Sequence, residues 1–402
     1  MVTKCLLIEH YTQHLYCFGK RLFPLLDLSL FVVALMFNLF FTTHKNRNTH
    51  IMKFITKLAA SAVLLGLASQ ANAAVTLVKT DDTTVTLGGY VKADLRHVSG
   101  DLAYRDFWIG NAPAAVDTAQ TKFNVKESRL QFKVQHDDVT GVIELDFYGS
   151  GGNEVISNST SPRIRHAFIK YQEWTIGQTW STFMPLHALA ETLDFGGPHV
   201  GEAFIRQSQI RYSKGGWSFA VENPQTFGSS DETQESVPDF IGRYDHKGSW
   251  GQISVAGLLR QVDQNGIDET SAAANIAGKF LLSGKDDIRV QLNVGEFGRY
   301  AGTTVVPGIA TNPDTNEVEV ESGIAYTVSY RHFWNDDTRS TVFYGNGQSD
   351  LSDHDRSHWG VNLLTNITPK LKYGVELGEY SVEDAGINLS SAYFQLSAQF
   401  AF

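Results

Sequence analysis

The last strand constrains the fold more than any other stretch of the chain. Residues 388–402 read NLSSAYFQLSAQFAF and stop at Phe402. Phe394, Leu396, Ala398, Phe400 and Phe402 fall on one face, and Tyr393, Gln395, Ser397 and Gln399 on the other. This period-two alternation marks a strand with one apolar face. A soluble domain ending this way would leave an open apolar edge, which templates aggregation. A sheet closed into a barrel in lipid has no edge, and its apolar face meets hydrocarbon. The fold class predicted is all-β: a transmembrane antiparallel barrel.

The start of the chain agrees. Met52 opens MKFITKLAASAVLLGLASQANA, with Lys53 and Lys57 ahead of an apolar run from Leu58 to Leu67 and an A-x-A site ending at Ala73. This is the layout of a cleaved secretion signal. Residues 52–73 therefore read as a Sec signal peptide, 74–83 as a short periplasmic segment and 84–402 as the barrel. Residues 1–51 hold an apolar stretch, Leu22 to Phe41, interrupted by Pro24 and Asp27. They read as a misassigned extension, because a cleavable signal following a membrane anchor makes little physical sense. Both cysteines, Cys5 and Cys17, lie in that extension, which suits a barrel that crosses an oxidising periplasm. Nothing in 74–402 approaches the ~18 consecutive apolar residues of a spanning helix.

The first 73 residues carry seven Lys/Arg and two Asp/Glu, leaving 26 basic against 41 acidic residues, a formal charge of −15. Nucleic-acid readers are basic, so nucleic acid is excluded as a partner. Ion selectivity is not decided by this total, because the acids cluster outside the predicted wall.

About sixteen strands follow Thr84, joined alternately by very short and long connections. The short ones are 137–141, 172–174, 213–217, 246–250, 283–287, 335–338 and 368–370, each with Gly, Asp, Asn or Pro between alternating runs. The long ones are 99–121, 150–161, 183–202, 224–237, 262–271, 299–320 and 348–356, with a shorter one near 383–387. Short turns on one rim and long loops on the other is the layout of an outer-membrane barrel. Tyr171 and Trp174, Tyr212 and Trp217, and Tyr244 and Trp250 flank successive short turns, and Trp334 precedes another. Such amphipathic rings settle at the headgroup level.

The third long connection carries the functional expectation. A barrel of this size leaves an aqueous channel, and MPLHALAETLDFGGP reads as a segment folded inward to narrow it. It offers a short helical run (Leu186 to Thr192), the acids Glu191 and Asp194, and a turn at Gly196 and Gly197. A cationic wall is expected opposite: Lys92, Arg96, Arg129, Lys133, Arg163, Arg165, Arg206, Arg211 and Arg289. Arg129, Lys133, Arg211 and Arg289 alternate cleanly with apolar neighbours, whereas Arg206 and Arg211 cannot both point inward on a regular strand. Arg stays charged and takes carboxylates through a fixed fork. On the lipid face it would cost about 2–4 kcal/mol near the midplane. Each base either braces the wall in a salt bridge or attracts anions. Acids on the segment facing bases on the wall would set up a transverse field.

GQTWSTFM, ETLDFGGP, IRQSQIRY and Glu222-Asn223-Pro224 resemble the DcaP-like porin family, as does the opening GGYVKADL at 88–95. The terminal Phe402 resembles the ending of bacterial outer-membrane proteins. The resemblance implies a homotrimeric outer-membrane porin associated with dicarboxylic acids. It points to Trp180, Ser181, Asp194, Gly196, Gly197, Arg206, Gln207, Gln209 and Arg211 as loop and pore positions. Some members have a coiled-coil-like segment ahead of the barrel, where this chain has only Ala74 to Thr83.

The expectation is a passive channel for small anionic solutes, set in outer-membrane lipid and lipopolysaccharide, with no cofactor and no bound metal. The alternative is an unselective or cation-preferring porin, given the charge of −15. An enzyme is not expected: G-x-S-x-G and H-E-x-x-H are missing from the sequence. A plain structural barrel would not need a constriction. The run DLSDHDRSH at 350–358 reads as a solvated loop tip rather than a cation site.

Overall fold

The computed structural model describes residues 74–402 apart from 109–116, 150, 154–155, 196, 227–234, 265 and 304. The extension, the signal peptide and Gly196 lie outside the described residues. Twenty strands run in chain order. The first ten are β1 (Val75–Lys79), β2 (Thr83–Gly100), β3 (Thr118–Asn124), β4 (Arg129–His136), β5 (Val139–Gly149), β6 (Ser161–Tyr171), β7 (Trp174–Trp180), β8 (Arg206–Lys214), β9 (Trp217–Glu222) and β10 (Asp239–Gly248). The rest are β11 (Gly251–Gln264), β12 (Ile267–Leu281), β13 (Asp287–Gly295), β14 (Ile309–Thr311), β15 (Val318–Val320), β16 (Gly323–Phe333), β17 (Thr338–Ser349), β18 (His354–Asn366), β19 (Leu371–Asp384) and β20 (Ile387–Ala401).

Each wall strand pairs antiparallel with its neighbour, and the sheet closes where β20 pairs with β2. The ring has sixteen positions. β3 and β4 share one of them, pairing with the later and earlier halves of β2. β14 and β15 form a separate hairpin. β1 pairs with β2 on the side that β20 vacates: Phe402 donates its amide to the Gly89 carbonyl at 3.2 Å, and Val75 to Lys79 take the adjoining positions.

Alternation decides the two faces. On β2, Val91 is exposed while Lys92, Asp94 and Arg96 are buried. On β13, Leu292 and Val294 are exposed while Asp287, Gln291 and Asn293 are buried. A polar inner face and an apolar outer face are what a lipid-embedded barrel requires. Trp174, Trp217, Trp250 and Trp334 are exposed beside the short turns. Trp174 packs on Tyr212 at 5.1 Å and Trp217 on Tyr244 at 4.8 Å.

Two expected loops need correction. Residues 262–271 are not a long loop: β11 and β12 stay in register out to Gln264 and Ile267. Val262 and Ile267 bury against Ile309 and Val320 of the β14–β15 hairpin, so a stretch of polar composition is held as a projecting ladder. In the acidic run at 350–358, β18 already begins at His354, and Asp355 accepts from Asn346 at 2.6 Å and Gln348 at 2.6 Å.

Candidate functional site

The connection between β7 and β8, residues 181–205, is bound along its length by inner-face side chains. Glu222 on β9 accepts the Thr182 amide at 2.7 Å. Arg243 on β10 donates to the Met184 carbonyl at 2.6 Å, and Arg289 on β13 donates to the Leu189 carbonyl. Asn362 on β18 donates to the Glu191 carbonyl at 2.9 Å, and Glu376 on β19 accepts the Leu193 amide at 2.8 Å. Lys92 on β2 donates to the Leu193 carbonyl at 2.6 Å. A segment without regular structure is thus given partners for its backbone, as burial demands. The helical run expected over Leu186 to Thr192 is a single 3-10 turn, Leu186–Ala188. Pro185 before it and the side-chain bonds after it leave no continuous helical ladder.

Three glycines let the segment approach the wall. A Cβ on Gly347 would sit 2.2 Å from the Val200 carbonyl oxygen, one on Gly345 2.7 Å from the Pro198 Cβ, and one on Gly201 2.1 Å from the Tyr326 oxygen. Behind this contact Phe183, Val200 and Ala203 join Phe297, Tyr300 and Val305 in one buried apolar cluster. The Ala203 and Ala301 backbones bridge directly.

The acids of the segment touch the wall rather than facing it across a gap, which corrects the expected transverse field. Glu191 takes Arg331 at 2.7 Å and Arg339 at 2.6 Å, and Asp194 pairs with Arg96. Burial raises the Glu191 carboxyl, but the hydrogen bonds and charges of Arg339 and Arg331 outweigh it and hold it at about 2. Burial likewise opposes ionisation of Asp194, and the Arg96 and Lys92 charges reverse the effect and lower its pKa. Burial pushes the Glu202 carboxyl well above the usual carboxylate range.

Below residues 189–195 lies a chamber of about 390 Å³. Lys92, Arg129, Arg289, Arg331 and Lys372 line it against two carboxylates, Glu127 and Glu191. The short turn between β3 and β4, residues 125–128, positions Glu127, which pairs with Lys92 and accepts from the Tyr90 hydroxyl at 3.1 Å. Arg129 lies 3.9 Å over the Phe195 ring, and its only ion pair among the described residues is Glu144 at 3.9 Å.

The other expected residues spread along the wall. Arg165 bonds Glu144 at 2.8 Å and Asp146 at 3.1 Å, and Arg163 grips Asp146 with two bonds, at 3.0 and 2.7 Å. Lys133 is exposed, nearer the short-turn rim. Gln207, Gln209 and Arg211 share the inner face of β8. Gln207 accepts from Arg299 at 3.0 Å, Gln209 donates to the Trp180 carbonyl at 3.0 Å, and Arg211 donates to the same carbonyl at 3.4 Å. Arg206, at the first position of β8, lies over the Trp180 ring at 4.7 Å. Trp180 in turn stacks on Phe195, and the Ser181 hydroxyl accepts the Phe183 amide at 3.0 Å. Gly197 sits at φ 94°, a conformation glycine adopts without strain.

Sequence reasoning missed Arg331, Arg339, Glu127 and Lys372. Arg331 was visible in principle, since it alternates with Tyr330 and Val328. Lys372 alternates with Leu371 and Tyr373, so its face was legible and only its place in the site was not, whereas Arg339 sits just past a short turn, where alternation has too few residues to read.

A family model, the DcaP outer membrane protein, matches residues 114–352, more than half of the chain. The chain belongs to the DcaP outer membrane protein family. The family and the barrel place it in the bacterial outer membrane, and its fold is that of a porin. The crystal structure of the outer membrane channel DcaP of Acinetobacter baumannii is similar, with a TM-score of 0.72 and 22% identity over 82% of this chain and 100% of that one. An anion-selective porin from Comamonas acidovorans gives 0.52, at 12% identity over 80% of this chain and 100% of that one. An OmpF of Salmonella typhi in complex with daunomycin gives 0.52, at 14% identity over 80% and 99%. No curated protein matches by sequence.

Proposed function

We propose that this DcaP-family porin is a passive diffusion channel that prefers small anions, dicarboxylates among them, and that residues 181–205 narrow its passage. The carrying observation is the charge of the chamber: five cationic side chains against two carboxylates. Nε and Nη2 of Arg129 are buried and have no hydrogen-bond partner among the described residues. Guanidinium N–H groups donate to carboxylates, and a guanidinium left without a close partner draws anions toward it. Attraction into the chamber, weak contact at several points and release would suffice for flux, with no energy coupling and no catalysis. A related fold belongs to a porin described as anion-selective, and the DcaP-like resemblance supports assembly as a homotrimer.

Arg129→Ala and Arg211→Ala should each lower anion preference while the barrel still folds. A unit charge at ~4 Å in water is worth ~1 kcal/mol, so the anion-to-cation permeability ratio should fall by up to about fivefold. The reversal potential in a salt gradient reads this directly. Unchanged potentials in both variants would contradict the role given to these bases.

A further inference from the structure

Lys372 is the cation of the chamber that the wall leaves unpaired. On three adjacent strands, Lys92, Gln399 and Lys372 stand in one register row, with Gln399 between the two lysines. Strand spacing puts the lysine backbones roughly 10 Å apart, and the backbone of Arg129, which pairs with Tyr90 one strand beyond, roughly 15 Å from that of Lys372, a span that the two long side chains close from both ends. Lys92 is neutralised by Glu127 and by Asp94 at 3.3 Å. Arg289 bonds Asp287 at 2.7 Å, and Arg331 is shared between Asp287 and Glu191. Lys372 has no hydrogen bond or ion pair among the described residues, and it lines the same chamber as Arg129. An ammonium with no direct partner on a partly buried wall has given up part of its hydration, and the Glu191 and Glu127 charges act on it only from a distance. A passing anion restores what was lost.

We propose that Lys372 and Arg129 form a two-point anion site under residues 189–195, and that Lys372 is the residue that makes this channel favour a dianion over a monoanion. The two bases divide the work by their chemistry. Arg129 is a guanidinium held over the Phe195 ring in the chamber lining, its Nε and Nη2 buried without a partner, and its charge draws one carboxylate. Lys372 is a point charge on a flexible stem that meets a second negative group at variable distance. A monoanion held at Arg129 leaves Lys372 unsatisfied, whereas a short dicarboxylate engages both. Gln399, between the lysines, adds a polar contact without charge, so binding stays weak enough for exit. This assignment rests on the anion-channel reading above.

The test is current block in planar bilayers by succinate and by acetate, using the full chain purified from outer membranes. The parent should be blocked by succinate at lower concentration than by acetate. Lys372→Gln should raise the half-blocking succinate concentration about tenfold and leave the acetate value within about twofold. Lys372→Arg should recover most of the succinate block, which loss of a purely structural lysine would not explain. Lys285→Gln, on an exposed turn where Lys285 pairs with Asp336, should behave as the parent. If the parent prefers anions and is blocked by succinate, but Lys372→Gln is unchanged, the two-point site is wrong and the anion channel stands. If succinate and acetate losses are equal in Lys372→Gln, Lys372 attracts anions generally and the selectivity role is wrong. A parent without anion preference or block overturns both.

Discussion

Glu191→Gln should loosen residues 181–205 and raise single-channel conductance and current noise. One carboxylate holds two arginines there, Arg331 from β16 and Arg339 from β17, at 2.6–2.9 Å. Removing one partner of a buried pair leaves the other charges uncompensated, at about 3–5 kcal/mol. A fifth of the Glu191 side chain is exposed, so the low end, about 3 kcal/mol, is expected. Arg339 freed of its partner, with Arg331 left to Asp287 alone, should also strengthen anion preference. The same pair sets a pH dependence. The Glu191 carboxyl is depressed from 4.5 to about 2, so its stabilising contribution is complete above about 4.5 and is lost as pH falls through about 2. Conductance noise should therefore stay flat from pH 7 to pH 5 in the parent and rise only in strong acid. Glu191→Gln should be noisy across the whole range. A quiet Glu191→Gln channel of parental conductance would show that the clamp does not hold the segment.

Gly347→Leu should displace the segment from the opposite side of the contact. Gly347 lies on the inner face of β17, and its missing Cβ is replaced by the Val200 carbonyl at 2.2 Å. Neither backbone can yield without breaking the β17–β18 ladder or the turn at His199–Gly201. Forced overpacking of this kind costs about 1–3 kcal/mol. The barrel should survive, because its ladder runs through all sixteen positions, and the segment should move. The expected readout is an altered conductance with unchanged heat-resistant migration of the folded barrel. Gly257→Leu is the control, since a Cβ there meets nothing within 4 Å. Equal behaviour of the two variants would contradict the close seating of Val200.

The barrel was legible because its physics is local. Alternation in 388–402, turn residues at the short connections and Trp174, Trp217, Trp250 and Trp334 beside them all report one strand or one hairpin at a time. The 262–271 hairpin was misread because its apolar residues, Val262 and Ile267, are widely spaced among polar ones. Their partner Ile309 lies some forty residues away. The site was legible only in part for the same reason. Alternation put Lys92, Arg129 and Arg289 on the inner face, and the composition of 184–198 marked the connection that they hold. It could not say which base meets which acid. Glu191 to Arg339 is a contact across 148 residues, and Arg96 to Gln395 one across 299. Nor could it show that Lys372 would be left over, since that follows only after every other pairing is made.

The most direct test of the channel assignment is the reversal potential of the full chain, purified from outer membranes, across a planar bilayer with a KCl gradient. A chamber with five cations and two carboxylates predicts a potential displaced toward the chloride equilibrium value, and smaller currents when succinate is added. A potential displaced toward the potassium value would contradict it, and would mean that the acids making up the charge of −15 control the passage.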